Sequence, residues 1–436
     1  MRKLALIPLI AGALAVLFAG QAFINYDTAY TLLWGGQLAD GVTPDLELPL
    51  APTPHPLTNV LAIVLTQDVV ELLSWLWLGL AGYLVFRLGE EWFGTSAGAV
   101  AALLFLSREP VLSFGLRAYV DVPFLTLVLG AVLLEVKHPR RGWPVLALLA
   151  LAGLIRPEAW LFSVAYVVYL REPRLLALAA AAPVLWSLHD LLLTGDPLHS
   201  WLGTADNADE LGRRTGPVDL VLYGPRRLGE ILREPVLLGL VLGAAYAWTR
   251  HRRQPLVVLA AALVAFGILA VAGLPIITRY LMLAAALACI LAAAALTAGI
   301  EHRRWAPASV AVLIALLVFA PGQLDRLDRL ERSIATQERI LDDLDALPDR
   351  TAECRPLAVT NRRPVPHLAL RFDLDPAKIQ VGELDGARTY VGPRTREIAE
   401  DFIFDRRDPV RTLPDVPPGF GRIAGNRSWT VLSTGC

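Results

Sequence analysis

Lysine is almost missing from this chain. It occurs only at Lys3, Lys137 and Lys378, and the rest of the positive charge is arginine. Charged residues of all kinds make up 19% of the sequence against 55% hydrophobic, and the mean hydropathy is +0.50. A water-soluble domain carries more charge than that, so the composition points to an integral membrane protein. The formal net charge is −1, which offers nothing to nucleic acid. There is no CxxC pair, no His-Glu-x-x-His and no glycine-rich phosphate loop. The last absence argues against an ATP-driven pump. No A-x-A-like site closes the first apolar run, which is expected to remain as a membrane helix rather than be cleaved as a signal peptide.

What the chain does have is a series of apolar runs between Leu4 and Ala320. Spans are expected near 4–23, 68–87, 95–107, 122–136, 143–154, 159–170, 174–193, 234–249, 255–273, 279–299 and 306–320. That makes about eleven crossings. Alternate connections read "MRK", "KHPRR" (137–141), "REPR" (171–174), "RHRR" (250–253) and "HRR" (302–304). Arginine and lysine gathered on one side mark the cytoplasmic face. The "RLGEE" turn (87–91) fits poorly, because Glu90 and Glu91 outweigh Arg87. The opposite face receives the long segments 24–67, 108–121, 194–233 and everything after 321. The expected fold class is an all-α polytopic membrane domain (1–320) with a small extracytoplasmic α/β cap (321–436), in a multi-pass plasma-membrane protein. The cap opens with an amphipathic helix whose apolar positions are Leu327, Leu330, Ile334, Leu341 and Leu344. Short strand-like runs follow: "PLAVT", "KIQVG" and "WTVLS". Cys354 and Cys436 flank the cap on the oxidising side, and a disulfide between them would contribute roughly 4 kcal/mol. Asn426-Arg427-Ser428 fits a glycosylation sequon, a tripeptide that chance also produces.

The outer loops hold the candidate chemistry. In "NYDTAYTLLWGG", Asp27 precedes an apolar stripe of Tyr30, Leu33, Trp34 and Leu38, the pattern of a helix lying in the membrane interface. Asp27 is either a helix cap or a general base held at the bilayer surface. Asp121, in "RAYVDVPF", begins the fourth span and is a second carboxylate at the outer boundary, with Arg117 four residues before it. Arg156 and Glu158, in "IRPEA", sit in the next outer turn, where they form a surface ion pair or Arg156 holds a phosphate. Arg279 and Tyr280, in "TRYL", open the tenth span, either as interfacial anchors or as phosphate ligands. His55 lies in the rigid turn "PTPHPL", structural or beside the site. Asp45-Leu46-Glu47 supplies the oxygens for a divalent metal only in part. The stretch 201–214 is an acceptor lid or a linker.

Taken in order, the acidic residue after the first span, "APTPHPL", "YVDVPF", "IRPEA" and "TRYL" resemble the GT-C superfamily of membrane glycosyltransferases. The likeness is to its protein O-mannosyltransferase and aminoarabinose-transferase branch, and it covers the membrane half. The resemblance implies transfer of a hexosyl or pentosyl group from a polyprenyl-phosphate carrier to a lipid, glycan or protein acceptor outside the cytoplasm, with inversion. It also implies that Asp27 and Asp121 are the catalytic acids of the first and second loops. The family's first-loop motif often pairs two adjacent acids, whereas Thr28 follows Asp27 here. Some relatives use a divalent metal, and no other cofactor is expected. Arg117, Arg156 and Arg279 would offset the charge of the leaving lipid phosphate, with His55, Glu158 and Tyr280 around them.

Two other classes compete. A transporter of lipid-linked sugars calls for mid-span charges and two related halves, and the sequence shows few of the first and no repeat. A non-catalytic anchor displaying the cap leaves the charged outer loops without a role. The topology has its own test. Cysteine-labelling of intact cells should reach a cysteine placed at Asp385 and not one placed at Arg252; the reverse pattern would overturn the assigned orientation.

Overall fold

The computed structural model describes residues 3–404 and 411–435. Helix α1 (Leu6–Leu17) leads to α2 (Tyr26–Ala39), and a proline-rich stretch joins α2 to the short α3 (Pro56–Leu61). There follow α4 (Gln67–Phe93), α5 (Thr95–Leu106), α6 (Glu109–Leu116), α7 (Asp121–Lys137), α8 (Trp143–Gly153), α9 (Glu158–Leu170) and α10 (Leu176–Thr194). Helix α11 (His199–Glu210) separates α10 from the long α12 (Gly216–Thr249), and α13 (Gln254–Val271), α14 (Met282–Glu301) and α15 (Ala306–Asp345) complete the bundle. Each stretch expected to span is helical for most of its length. Among the described residues, five helices are long and apolar enough to cross a membrane, or six if α5 and α6, bent by 66°, form one span. The expected figure of about eleven rests on shorter helices crossing as well.

Helix α14 is the centre of the bundle. Its sequence, "MLAAALACILAAAALTAGIE", is nearly half alanine, and most of it is buried. Small side chains let neighbouring helices approach closely where lipid provides no hydrophobic drive. Gly243 of α12 takes this to the limit: a Cβ there would lie 1.8 Å from the Leu291 carbonyl oxygen. The outer helices show the opposite pattern. Val264 on α13 and Leu317 and Val318 on α15 point outward, an apolar belt suited to lipid.

Helix α12 is broken at Arg233, whose φ is 61° and ψ 171°. Pro235 follows, and a proline cannot donate to the carbonyl four residues back. Arg108, in the bend between α5 and α6, is buried and serves both breaks. Its Nη1 donates to Leu232 O at 3.1 Å and its Nε to Leu104 O at 3.0 Å.

The basic connections meet at one end of the bundle, and they explain the awkward "RLGEE" turn. Lys3 pairs with Glu90 at 2.9 Å, Arg87 with Glu91 at 2.8 Å and Lys137 with Glu91 at 3.4 Å. Arg252 donates to Trp92 O, and Arg140 donates to Tyr169 O at 3.0 Å. The acidic residues of that turn are therefore partners of the basic loops around it.

At the other end α15 runs on past the position where the membrane domain was expected to stop, through Pro321, and carries the cap. Forty residues at about 1.5 Å rise make about 60 Å, twice the hydrocarbon thickness. Leu330, Ile334, Ile340, Leu341 and Leu344 on its outer half are buried. Against them packs a mixed sheet, β1 (Leu357–Val359), β2 (Ile379–Val381), β3 (Thr389–Pro393), β4 (Gly421–Gly425) and β5 (Trp429–Ser433), in the order β2-β1-β3-β5-β4. Strands β1, β2 and β3 are parallel, and α16 (Val365–Phe372) makes the crossover from β1 to β2. Trp429 is fully buried and donates its indole N–H to Ile340 O at 2.8 Å. The sequon asparagine has a structural use: Asn426 donates to Asp343 O and accepts from Trp429 N at 2.9 Å.

One expectation is overturned. Helix α2 does not lie half-exposed in the interface, because Thr28 through Gly35 are all buried. Its apolar stripe is met by the loops below, its other faces by α3 and the cap helix α16. Trp34 is 1% exposed and donates to Asp45 O at 3.2 Å.

The α12–α14 contact predicts a stability difference. Gly243→Ala should lower the unfolding midpoint in detergent, at a cost of about 1–3 kcal/mol from overpacking. Gly12→Ala, where nothing lies within 4 Å, should not lower it.

Candidate active site

The first and second outer loops are held together by backbone. Phe23 N donates to Leu116 O at 3.0 Å and Asn25 N to Arg117 O at 3.2 Å. The Asn25 side chain donates to Arg117 O at 2.6 Å, and Thr28 Oγ1 donates to Ala118 O at 2.7 Å. Asn25 is also the N-cap of α2: its Oδ1 accepts from Asp27 N at 2.7 Å and from Thr28 N at 3.3 Å. The cap is therefore Asn25, and the carboxylate of Asp27 is left for another contact. It accepts from Arg279 Nη1 at 3.0 Å. Burial and the nearby Asp27 carboxylate push the Tyr119 phenol up, so it remains a neutral hydrogen-bonding group.

Behind that pair lies a second cluster. Arg156 is 5% exposed and donates from Nε (3.0 Å) and Nη2 (2.7 Å) to Glu158 Oε1, while Nη1 donates to Asp121 Oδ1. Its guanidinium lies 4.0 Å from the Tyr280 ring centre. Arg156 and Glu158 are thus not a surface pair, as one reading of "IRPEA" has it. The turn is closed over by the rest of the bundle, and Asp121, 1% exposed, is the third member. His55 docks on the same wall, edge-on to Trp186 with ring centres 5.9 Å apart. Burial, then the charges of Arg156 and Arg279, push its imidazole down to about 3, so the ring is neutral at physiological pH.

These residues enclose a cavity of about 450 Å³ between the bundle and the cap. Asp27, His55, Arg117, Arg156, Glu158, Arg279 and Tyr280 all line it. Asp121 does not; it stands behind Arg156. Among the described residues the lining includes six arginines (117, 156, 213, 279, 362 and 363) and three carboxylates (Asp27, Glu158 and Asp190). Arg117 bonds neutral partners, Gln337 at 2.9 Å, Ser333 at 3.2 Å and Ser113. It therefore ties the bundle to α15 without its charge being cancelled by those contacts.

Sequence reading missed the cap's share of this wall. Arg362 and Arg363 reach the cavity from the β1–α16 connection and His367 from α16 itself, and Arg362 lies 4.8 Å from the Tyr26 ring centre. The signal was there in "TNRRPVP": a polar turn at the carboxyl end of a parallel strand is where open α/β sheets place ligands. The 201–214 stretch is neither free linker nor wholly loop. Helix α11 is fixed by Asp190, which accepts from Ser200 N at 2.9 Å and Ser200 Oγ at 2.8 Å. Its Asn207 donates to Ala51 O at 2.8 Å.

No group of three or more metal-ligating side chains exists among the described residues. Asp45 accepts from Glu47 N at 3.0 Å, and neither residue lines the cavity. This donor set does not fit a divalent metal. Cys436, one half of the expected Cys354–Cys436 disulfide, lies outside the described residues.

No protein-family model and no curated protein matches the sequence. Solved structures do. The chain is similar to ArnT from Cupriavidus metallidurans bound to undecaprenyl phosphate, 14% identical with a TM-score of 0.55, over 98% of this chain and 97% of that one. The apo form of the same protein gives 14% and 0.55, over 97% and 98%. The oligosaccharyltransferase AglB from Archaeoglobus fulgidus, at 11% and a TM-score of 0.49 over 92% and 70%, is too loose a match to carry weight. The ArnT likeness shows that the chain has that fold from end to end, the fold the family resemblance implied.

The Arg156 cluster generates a prediction. Arg156→Ala leaves two buried carboxylates unpaired and should cost about 3–5 kcal/mol. The measurement is the fraction of folded protein recovered in detergent, where Arg279→Ala, whose pair is open to the cavity, should be recovered far better. Equal recovery would contradict the buried cluster.

Proposed function

We propose that this protein transfers a hexosyl or pentosyl group, with inversion, from a polyprenyl-phosphate carrier to an acceptor hydroxyl or amine at the outer face of the plasma membrane. The observation that carries this reading is a cavity, opening where the apolar bundle meets the cap, on whose wall Arg117 has neutral hydrogen-bond partners and Arg279 faces the single carboxylate of Asp27. An apolar exterior suits a polyprenyl chain, and arginine forks suit the phosphate it bears. ArnT, which has this fold, binds undecaprenyl phosphate in its crystal structure. The basic loops then face the cytoplasm, and the cap stands outside.

In the reaction the acceptor oxygen or nitrogen attacks the anomeric carbon, and the bond from that carbon to the phosphate oxygen breaks. The electron pair leaves with the phosphate, where Arg117 and Arg279 stabilise it together with the cap arginines. Asp27 takes the acceptor's proton. Its ion pair with Arg279 orients the carboxylate before substrate arrives, and a phosphate drawing on Arg279 would loosen that hold as the base is needed. A single displacement by a single base inverts the anomeric centre. Asp121 acts at one remove: with Glu158 it fixes Arg156 against Tyr280, and so fixes the wall on which the sugar rests.

Purified protein in nanodiscs, given polyprenyl-phosphate sugars, should release polyprenyl phosphate. Asp27→Asn should cut turnover by roughly 100-fold or more and leave the fold intact, because Asn25 remains to cap α2. Transfer at a near-normal rate by Asp27→Asn would remove Asp27 as the base. Failure of the wild type with every lipid-linked sugar would remove the reaction class.

A further inference from the structure

A second basic cavity, of about 310 Å³, lies on the far side of Arg117. It is lined by Glu109, Ser113 and Arg117 from the α6 region, Arg233 from the break in α12, and Arg326, Arg329, Leu330 and Ser333 from α15. Four arginines face one carboxylate there. Only Arg329 has a carboxylate partner among the ion pairs described, Asp325 one turn back on its own helix. Arg233 and Arg326 have none, and the cavity keeps a positive excess after Asp325 is counted.

The backbone supplies an independent observation. Arg233 is the one residue of α12 held outside the helical region, at φ 61° and ψ 171°. For a residue with a Cβ such a conformation is strained and persists only where surroundings impose it. Here Arg108 accepts the consequence, donating to Leu232 O at 3.1 Å. The result is an arginine turned out of a membrane helix at the boundary of the apolar belt. Leu317 and Val318 on α15 and Val241 on α12, each 64–67% exposed, lie on the lipid side of that boundary. Like charges crowded into a low-dielectric boundary repel one another, so an anion held there gains from all of them.

We infer that this cavity is a second phosphate site, which takes the headgroup of an anionic membrane lipid beside the main cavity. The lipid's acyl chains lie along the α12–α15 face, its phosphate sits among Arg233, Arg326 and Arg329, and Glu109 accepts from a headgroup hydroxyl. Arg117 forms the common wall, so the charge state of one cavity bears on the other. The inference does not depend on the sugar-transfer reading, because it concerns binding alone.

The test uses the full chain in phosphatidylcholine nanodiscs, titrated with phosphatidylglycerol and followed by native mass spectrometry. Arg233→Gly relieves the backbone strain while removing the charge, and Arg326→Gln removes a second cation without touching the break. Saturable binding of one phosphatidylglycerol is expected, weakened about tenfold or more in each variant, the worth of one charge-assisted contact. Unfolding midpoints of both variants should stay at or above the wild-type value. Unchanged lipid affinity in folded Arg326→Gln would overturn the site, whatever Arg233→Gly does. Inorganic phosphate that binds as tightly as the lipid and displaces it would overturn the lipid assignment.

Discussion

Arg156 holds two buried carboxylates that come from different helices, Asp121 at the start of α7 and Glu158 at the start of α9, and it lies over the ring of Tyr280 just before α14. Three segments far apart in sequence, at 121, 156–158 and 280, are therefore fixed by one guanidinium. Removing ions from water is expensive, and the cost is met only if every member keeps its partner. Arginine suits the position because it stays charged and offers several donors in one plane. The cavity inherits its shape from this constraint: the triad is its floor, and the Asp27–Arg279 pair stands in front, open to whatever enters.

The remaining walls follow from how an apolar bundle ends. Helix α14 is buried and alanine-rich, so its neighbours close tightly around it and leave no polar room inside the bundle. Polar groups are pushed to the ends. One end is neutralised by Lys3, Arg87 and Lys137 on Glu90 and Glu91. At the other, Arg117 bonds only neutral side chains, and α15 carries a cap that brings Arg362 and Arg363 to the same wall. An anion at the end of an apolar chain is the ligand that such an environment favours.

Much of this was legible beforehand, and unevenly so. Hydropathy located the helices, because twenty apolar residues leave few alternatives in a chain with so little charge. The loop motifs named seven residues that do share one cavity, since charged residues at the boundary of a membrane are costly to keep without use. What failed depended on tertiary contacts. The stripe of α2 reads as interfacial, but the loop at Asp45 meets it and α16, some 330 residues away in the chain, covers the neighbouring face of Ala29 and Leu32. "IRPEA" reads as a surface turn, yet Asp121 and the surrounding helices bury it. The role of Asn25 was hidden for a subtler reason: Asn and Asp are equally good caps, and only geometry shows which one the helix uses. Strands β3 and β4 carry too much Gly and Pro to stand out, and they form by pairing with β5, not by local preference.

The central claim is that the main cavity recognises a phosphate at the end of a polyprenyl chain. Its most direct test compares the affinity of the purified protein for polyprenyl phosphate with that for the uncharged polyprenol of equal length, in the same nanodiscs and at the same salt. Charge-assisted contacts to two or more arginines should make the phosphate bind at least about 100-fold more tightly. Equal affinity for the two would mean that the arginines serve some other ligand, and the account of this site would fall.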